Sequence, residues 1–130
     1  DYSGYKARLI TAQEVATITG NTSWNEKNAN SMYYLDTNTM TASTTCTSGD
    51  TSGCKYGWLY DRTNKSCTTY GCLNNSDKSV DGYWTATSRA DVSLFAWEVS
   101  CKGYVHDYRV NNGISNGVRP VIEVLKSKLS

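Results

Sequence analysis

The chain predicts an α+β fold: one or two short helices, then a twisted antiparallel sheet with long disulfide-tied loops. Three observations carry this expectation. A helix start and stop are written around residues 11–20, strand-type segments fill the C-terminal third, and a polar stretch holding four of the five cysteines lies between them. The C-terminal third contains the phrases GYWTATS (82–88), FAWEV (95–99) and GVRPVIEV (117–124), which enclose positions following no single chemical theme.

In order along the chain, Ala7 to Ile10 reads as a short strand. Thr11 then caps a helix over about 12–19. Glu14, three residues on, completes a capping box, Val15 and Ile18 are expected to share the apolar face, and Gly20 ends the helix. Residues 21–30 are polar around Trp24 and have room for a second helical turn before Met32-Tyr33-Tyr34-Leu35. Residues 36–53 are rich in Thr and Ser without a period, which predicts a long loop. Tyr56 to Tyr60 is expected as an aromatic core segment or short strand. Further strands are expected near 82–87, 94–100, 104–110 and 118–125, the last burying Val118, Val121, Ile122, Val124 and Leu125. Trp84 and Trp97 sit inside the scaffold phrases and are expected as core anchors, as are Val105 and Val110. No linker and no internal repeat divides the 130 residues, so a single domain is expected over 1–130.

Composition excludes several function classes. Thirteen basic and twelve acidic residues are interspersed, a formal charge of +1, so no basic stripe exists for a phosphate backbone and nucleic acid is not an expected partner. No apolar run approaches the roughly 20 residues a membrane-spanning helix needs. Ten Tyr and four Trp against one Phe, amid Asn, Ser, Thr and Gly, suit a β-rich extracellular domain and an adaptable binding surface. Because the sequence opens at Asp1 rather than Met, a mature or trimmed extracellular ectodomain whose export signal and any anchor have been removed is expected, with no direct membrane insertion of this segment.

Five cysteines support an oxidising compartment. Pairing Cys46 with Cys54 and Cys67 with Cys72 would tie down loops that have little apolar surface of their own, although four cysteines allow three pairings. Zinc is the competing use. No CxxC pair is present and the one histidine is His106, so no metal or other cofactor is expected. Cys101 is left over.

Between Cys101 and Asn116, Val105 and Val110 read as core and nearly everything else as free to vary. A regular frame with irregular side chains points to a binding face, since binding chemistry can change there without disturbing the core. Tyr104, Tyr108 and Arg109 are the best contact candidates, because aromatic and Arg side chains concentrate binding energy. Tyr104, His106 and Tyr108 fall on one face of a strand, Val105 and Asp107 on the other. Arg119, before Pro120 in an apolar run, is expected to make a structural ion pair or hydrogen bonds to carbonyls.

ARLITAQEV near the start, GYWTATS, a strand pair around Ala96-Trp97 and the closing GVRPVIEV together resemble the C-type lectin-like domains of bacterial surface and type IV pilin-like proteins. More distantly they resemble the formylglycine-generating, sulfatase-modifying fold. The resemblance covers the two ends of the chain and leaves the cysteine loops out. It includes the variable proteins of diversity-generating retroelements, whose C-terminal strands hold positions altered by adenine-directed mutagenesis. The residues at Arg89, Asp91, Ser100, Cys101, His106, Asp107, Tyr108, Arg109, Asn111, Asn112, Ile114 and Asn116 resemble the scatter such mutagenesis leaves, and together with Lys102 and Tyr104 they form the expected ligand-binding set. The partner implied is a protein or glycan receptor on another cell, phage or host surface, or other pilus subunits.

Catalysis is not expected. Cys101 and His106 differ by five positions, which places them on opposite faces of a regular strand, and adjacent His106 and Asp107 also diverge. The paired cysteines of the formylglycine-generating enzymes have no counterpart near GVRPVIEV. The EPN and WND signatures of calcium-dependent sugar binding are absent as well; Trp24-Asn25-Glu26 is a near miss in another part of the chain.

Overall fold

A computed structural model of the chain describes residues 4–46, 53–60, 82–89, 94–110 and 116–128. The architecture is α+β. Strand β1 (Ala7–Leu9) leads into helix α1 (Ala12–Thr19), a 3-10 turn (Ala29–Ser31) and strand β2 (Tyr33–Tyr34). A one-turn helix α2 (Gly57–Tyr60) precedes β3 (Gly82–Ser88), β4 (Phe95–Ser100) and β5 (Tyr104–Arg109). Short strands β6 (Asn116–Gly117) and β7 (Pro120–Ile122) and a 3-10 turn (Lys126–Lys128) follow.

The strands form two sheets. β1 pairs antiparallel with β7, joining the two ends of the described chain, and the other five run in the order β2-β5-β4-β3-β6. Three of the pairings in the larger sheet are antiparallel, but β6 lies parallel to β3, so that sheet is mixed rather than antiparallel throughout.

Helix α1 is specified locally. Thr11 Oγ1 accepts from Glu14 N, Glu14 returns the bond to Thr11 N, and Gly20 closes the last turn in the left-handed conformation at φ 73°. Its buried side is Ala12, Val15, Ala16 and Thr19, whereas Ile18 is exposed, so the apolar stripe runs one position away from the expected Val15/Ile18 pair. Arg8 clamps the start of the helix with two 2.7 Å hydrogen bonds to the Glu14 carboxylate.

One side of the five-stranded sheet is the core. Tyr83 on β3, Trp97 and Val99 on β4, Val105 on β5 and Tyr33 on β2 join Val15 and Ala16 of α1, Leu59 and Tyr60 of α2, and Trp24 and Leu35 in a single cluster. Trp24 stands edge-on to Trp97, ring centroids 5.2 Å apart, and Trp97 Nε1 donates to Glu26 O at 3.0 Å. Three residues of β3, Thr85 to Thr87, lie opposite Trp97 alone. This bulge frees Ala86 N to donate to Ile10 O at 2.8 Å and Thr87 Oγ1 to accept from Ala12 N at 2.9 Å, fastening the sheet to the start of α1.

Three expectations are corrected here, and a fourth is resolved between its two alternatives. Residues 56–60 are the aromatic core segment, with Leu59 and Tyr60 buried and Tyr56 packed against them, and residues 57–60 form a helical turn rather than a strand. Its C-terminal carbonyls are held by Arg119, which donates to Leu59 O at 2.8 Å and Trp58 O at 2.6 Å, so Arg119 takes the carbonyl-bonding role expected of it. Trp84 is half-buried because the neighbouring Tyr83 points into the core in its place. Val110 is exposed, lying just past the end of β5. In the run 118–125, Val118, Ile122 and Leu125 are exposed, and only Val121 packs against the core. The reason is that β7 pairs with β1 alone, in a two-stranded sheet that offers one face little cover.

Candidate functional site

The hairpin β4–β5 places the site. Cys101 and Lys102 form its turn, closed by Gly103 N donating to Ser100 O at 2.9 Å, with Gly103 at φ 89°, a conformation that favours glycine. From there the register runs Val99↔Val105, Glu98↔His106, Trp97↔Asp107, Ala96↔Tyr108 and Phe95↔Arg109. Alternation then sorts the side chains. Val99, Trp97 and Val105 face the core, while Glu98, His106, Tyr104 and Tyr108 face the other way. Trp84 lies opposite Glu98 on β3, Tyr34 opposite Tyr104 on β2, and Asn116 opposite Gly82 on β6, so these join the same side. Gly82 is required there: a Cβ at that position would lie 2.2 Å from Val99 O.

Along this face runs a column of rings. Tyr34 meets Tyr104 at 5.3 Å between centroids, Tyr104 meets His106 at 4.8 Å, and His106 meets Tyr108 at 5.4 Å, each edge-to-face. All four side chains are half-buried. Beneath the column lies Glu98, 2% exposed, with one carboxylate oxygen accepting from His106 Nε2 and the other from Asn116 Nδ2. Burying an ionised carboxyl without such donors is costly, so His106 and Asn116 hold the carboxylate in place. Asn116 Oδ1 is itself buried and has no donor.

The remaining predicted residues lie elsewhere. Asp107 accepts from Arg89 Nη1 at 2.8 Å in a largely buried ion pair on the opposite side of β5. The Arg89 and Arg109 guanidiniums both stand over the Phe95 ring, at 5.6 and 6.0 Å. The expected set is thus divided between the two faces of one sheet. Tyr104, His106, Tyr108 and Asn116 come together; Arg89, Asp107 and Arg109 form a second group. Ser100 and Cys101 are each 4% exposed and are not on the accessible surface, a correction to their inclusion in the ligand-binding set. Lys102 is exposed at the turn. Asp91, Asn111, Asn112 and Ile114 lie outside the described residues, as do Cys67 and Cys72.

At the end of the sheet near the turn, Tyr34, Asp36, Ala42, Ser43, Cys46, Tyr60, Lys102 and Gly103 line a shallow cleft. Asp36 organises it, accepting from Tyr56 N at 2.8 Å and from the Tyr60 hydroxyl at 2.6 Å. Cys46 in its lining is disulfide-bonded to Cys54, the first of the two expected pairs. Asp36, Cys46 and Cys54 bring their potential ligand atoms within 4.8 Å of one another, but the two sulfurs are bonded to each other and are not available as thiolates to a metal.

Sequence reasoning missed Glu98, Tyr34, Trp84 and Asp36. For Glu98 a signal existed. A lone acid between Trp97 and Val99 points away from the core, and the tight turn at 101–103 sets it opposite His106.

Among the described residues, no helix is long and apolar enough to cross a membrane. No family model matches the sequence, and no curated protein or solved structure matches it either.

Proposed function

We propose that this chain is a ligand-binding domain of a bacterial surface protein, adhesin-like and non-enzymatic, with a C-type lectin-like fold whose C-terminal strands carry a diversified binding face. The observation that carries this reading is the column Tyr34, Tyr104, His106 and Tyr108. It stands on the side of the sheet turned away from the core, on strands whose other side is anchored by Trp97, Val99 and Val105. Its tyrosine side chains can be exchanged without removing a core residue, which is what a variable binding surface needs; His106, bonded to the buried Glu98, is the constrained member. Two further features support the reading. The segments ARL and PVI, at the two ends that carry the lectin-like resemblance, pair with each other as β1 and β7. A disulfide suits an exported protein. The partner is a protein or glycan receptor on another surface.

The test is to screen the protein and its Tyr104→Ser/Tyr108→Ser double variant against arrays of surface proteins and glycans. The wild type should capture a defined set and the double variant should lose it while still unfolding in one cooperative transition, its melting temperature lowered only by the three ring contacts it loses. Retained capture by the double variant would refute the face. Diversification is tested separately by searching the source genome for an imperfect repeat of the segment encoding 82–122 that differs only at adenines.

A second reading, a structural pilin-like subunit, draws on the exposure of Trp58, Val118 and Leu125, apolar side chains that subunit packing would cover. Cross-linking at these positions in the assembled protein separates the two.

A further inference from the structure

Asp36 is the fixed point of the cleft near the β4–β5 turn. One of its carboxylate oxygens accepts from Tyr56 N at 2.8 Å and the other from the Tyr60 hydroxyl at 2.6 Å, so the group is aimed from two sides. The second oxygen, Oδ2, also lies 3.2 Å from Cys46 Sγ. With Cys54 Sγ, three potential metal-ligand atoms gather within 4.8 Å of one another. While the sulfurs are bonded to each other they offer no thiolate. Reduction changes that, and the hydrogen bonds that seat the two cysteines, Cys46 N to Ser43 Oγ and Gly57 N to Cys54 O, do not involve the sulfurs.

The spacing fits one tetrahedral ion. Zinc-type bond lengths hold two sulfurs on one ion roughly 3.8 Å apart, and a sulfur and a carboxylate oxygen roughly 3.6 Å apart. The Cα atoms of Cys46 and Cys54 are 5.2 Å apart, which lets the freed sulfurs reach the first separation by side-chain rotation. Cys46 Sγ and Asp36 Oδ2 already stand near the second. The cleft, lined by Asp36, Cys46, Tyr60 and Lys102 among others, has room for one water, about 20 Å³, and so supplies an entry path and a fourth ligand. Two thiolates and a carboxylate around a dication leave one negative charge, which Lys102 in the same lining offsets.

We propose that Cys46, Cys54 and Asp36 form a redox-gated metal site. The oxidised protein closes this loop with a disulfide, and the reduced protein closes it with a thiolate-preferring divalent ion of the zinc class. A dithiol reductant passes two electrons to the S–S bond and is itself oxidised to a disulfide, leaving Cys46 and Cys54 as thiols. The ion then displaces their two protons, forming two sulfur–metal bonds and one bond to Asp36 Oδ2. Two thiolates select such an ion over calcium or magnesium, which take oxygen ligands. The Tyr56 and Tyr60 donors become the hydrogen bonds that orient a ligating carboxylate.

The experiment takes the whole chain, oxidised or reduced under inert gas, and titrates it with Co2+ as a spectroscopic probe and with Zn2+. The reduced protein should develop a saturable thiolate-to-cobalt charge-transfer band that Zn2+ bleaches, and the oxidised protein should not. Asp36→Asn should weaken cobalt binding about tenfold or more, at least what loss of an outer-shell partner costs. Alkylation followed by peptide mapping reads each cysteine of the wild type and so does not depend on how that variant folds. Zn2+ should protect Cys46 and Cys54 in the reduced protein and leave Cys67 and Cys72 reacting as they do without it. Zn2+ should also raise the melting temperature of the reduced protein alone, as an ion held only by the folded state does. No charge-transfer band in the reduced protein, protection that falls on Cys67 and Cys72 instead, or a band undiminished in Asp36→Asn overturns the site. Equal uptake by the oxidised protein overturns its gating.

Discussion

His106 and Glu98 meet across the β4–β5 pair, so the ring at the middle of the aromatic column is also a hydrogen-bond donor to the buried carboxylate beneath it. Exposed-looking and structural roles therefore coincide in one residue, and substitutions on this face should not all behave alike. Tyr108→Ser removes a half-buried ring and its edge-to-face contact with His106 and should cost about 1 kcal/mol, since one such ring pair contributes about 0.5–1.5 kcal/mol. His106→Ala strips a donor from a buried carboxylate and should cost about 1–3 kcal/mol, with His106→Gln recovering part of the loss. Urea denaturation of the three variants checks the order. Equal stability of His106→Ala and Tyr108→Ser would mean that the Glu98 contact contributes nothing.

The tryptophans should separate in the same way. Trp97 is fully buried against Trp24 and donates to Glu26 O, so Trp97→Ala should cost about 3–5 kcal/mol and threaten folding. Trp84 is only half-buried on the other side of the sheet, and Trp84→Ala should cost clearly less. Thermal unfolding of both variants decides it; a larger loss at Trp84 would contradict the assignment of faces.

How much of this was legible in the sequence depended on the range of the forces involved. Helix α1 was legible because Thr11, Glu14 and Gly20 fix it within ten residues. The ring column was legible as Tyr104, His106 and Tyr108 because alternation in a strand is local. The turn of α2 was not, since part of what holds it is Arg119, some sixty residues on, bonding its carbonyls. Asn116 belongs to the site through a parallel pairing with Gly82, a long-range contact with no local signal. The exposure of Val118 and Leu125 was misread because an apolar run says that burial is available, not that a layer exists to provide it.

The Cys46–Cys54 bridge closes a loop with a sequence separation of 8. A loop this short restricts the unfolded chain modestly, and Cys46→Ser/Cys54→Ser should lower stability by about 2–3 kcal/mol. Non-reducing peptide mapping should recover these two cysteines in one linked pair. Recovery of Cys46 linked to Cys67 or Cys72 would overturn the pairing.

Two groups set opposite pH limits on the fold. Arg8 holds the Glu14 carboxyl well below its ordinary 4.5, at about 2, with the Thr11 amide assisting. A carboxyl depressed on folding contributes stability above its ordinary range and loses it as pH falls through the folded value. The Glu14 contribution should thus fade between about pH 4.5 and 2, modestly, because the pair is partly exposed to solvent. At the alkaline end, burial pushes the Tyr33 hydroxyl up to about 12. Its proton is directed to Thr19 Oγ1 at 2.8 Å, because the Thr19 hydroxyl donates to Val15 O. Raised on folding, Tyr33 contributes stability that is complete below pH 10 and is lost as pH climbs from 10 toward 12. Melting temperatures measured across pH for the wild type, Glu14→Gln and Tyr33→Phe test both limits. Glu14→Gln should flatten only the acid limb and Tyr33→Phe only the alkaline limb, and a variant that shifts the whole curve without changing its slope would show that the group acts through packing rather than through its proton.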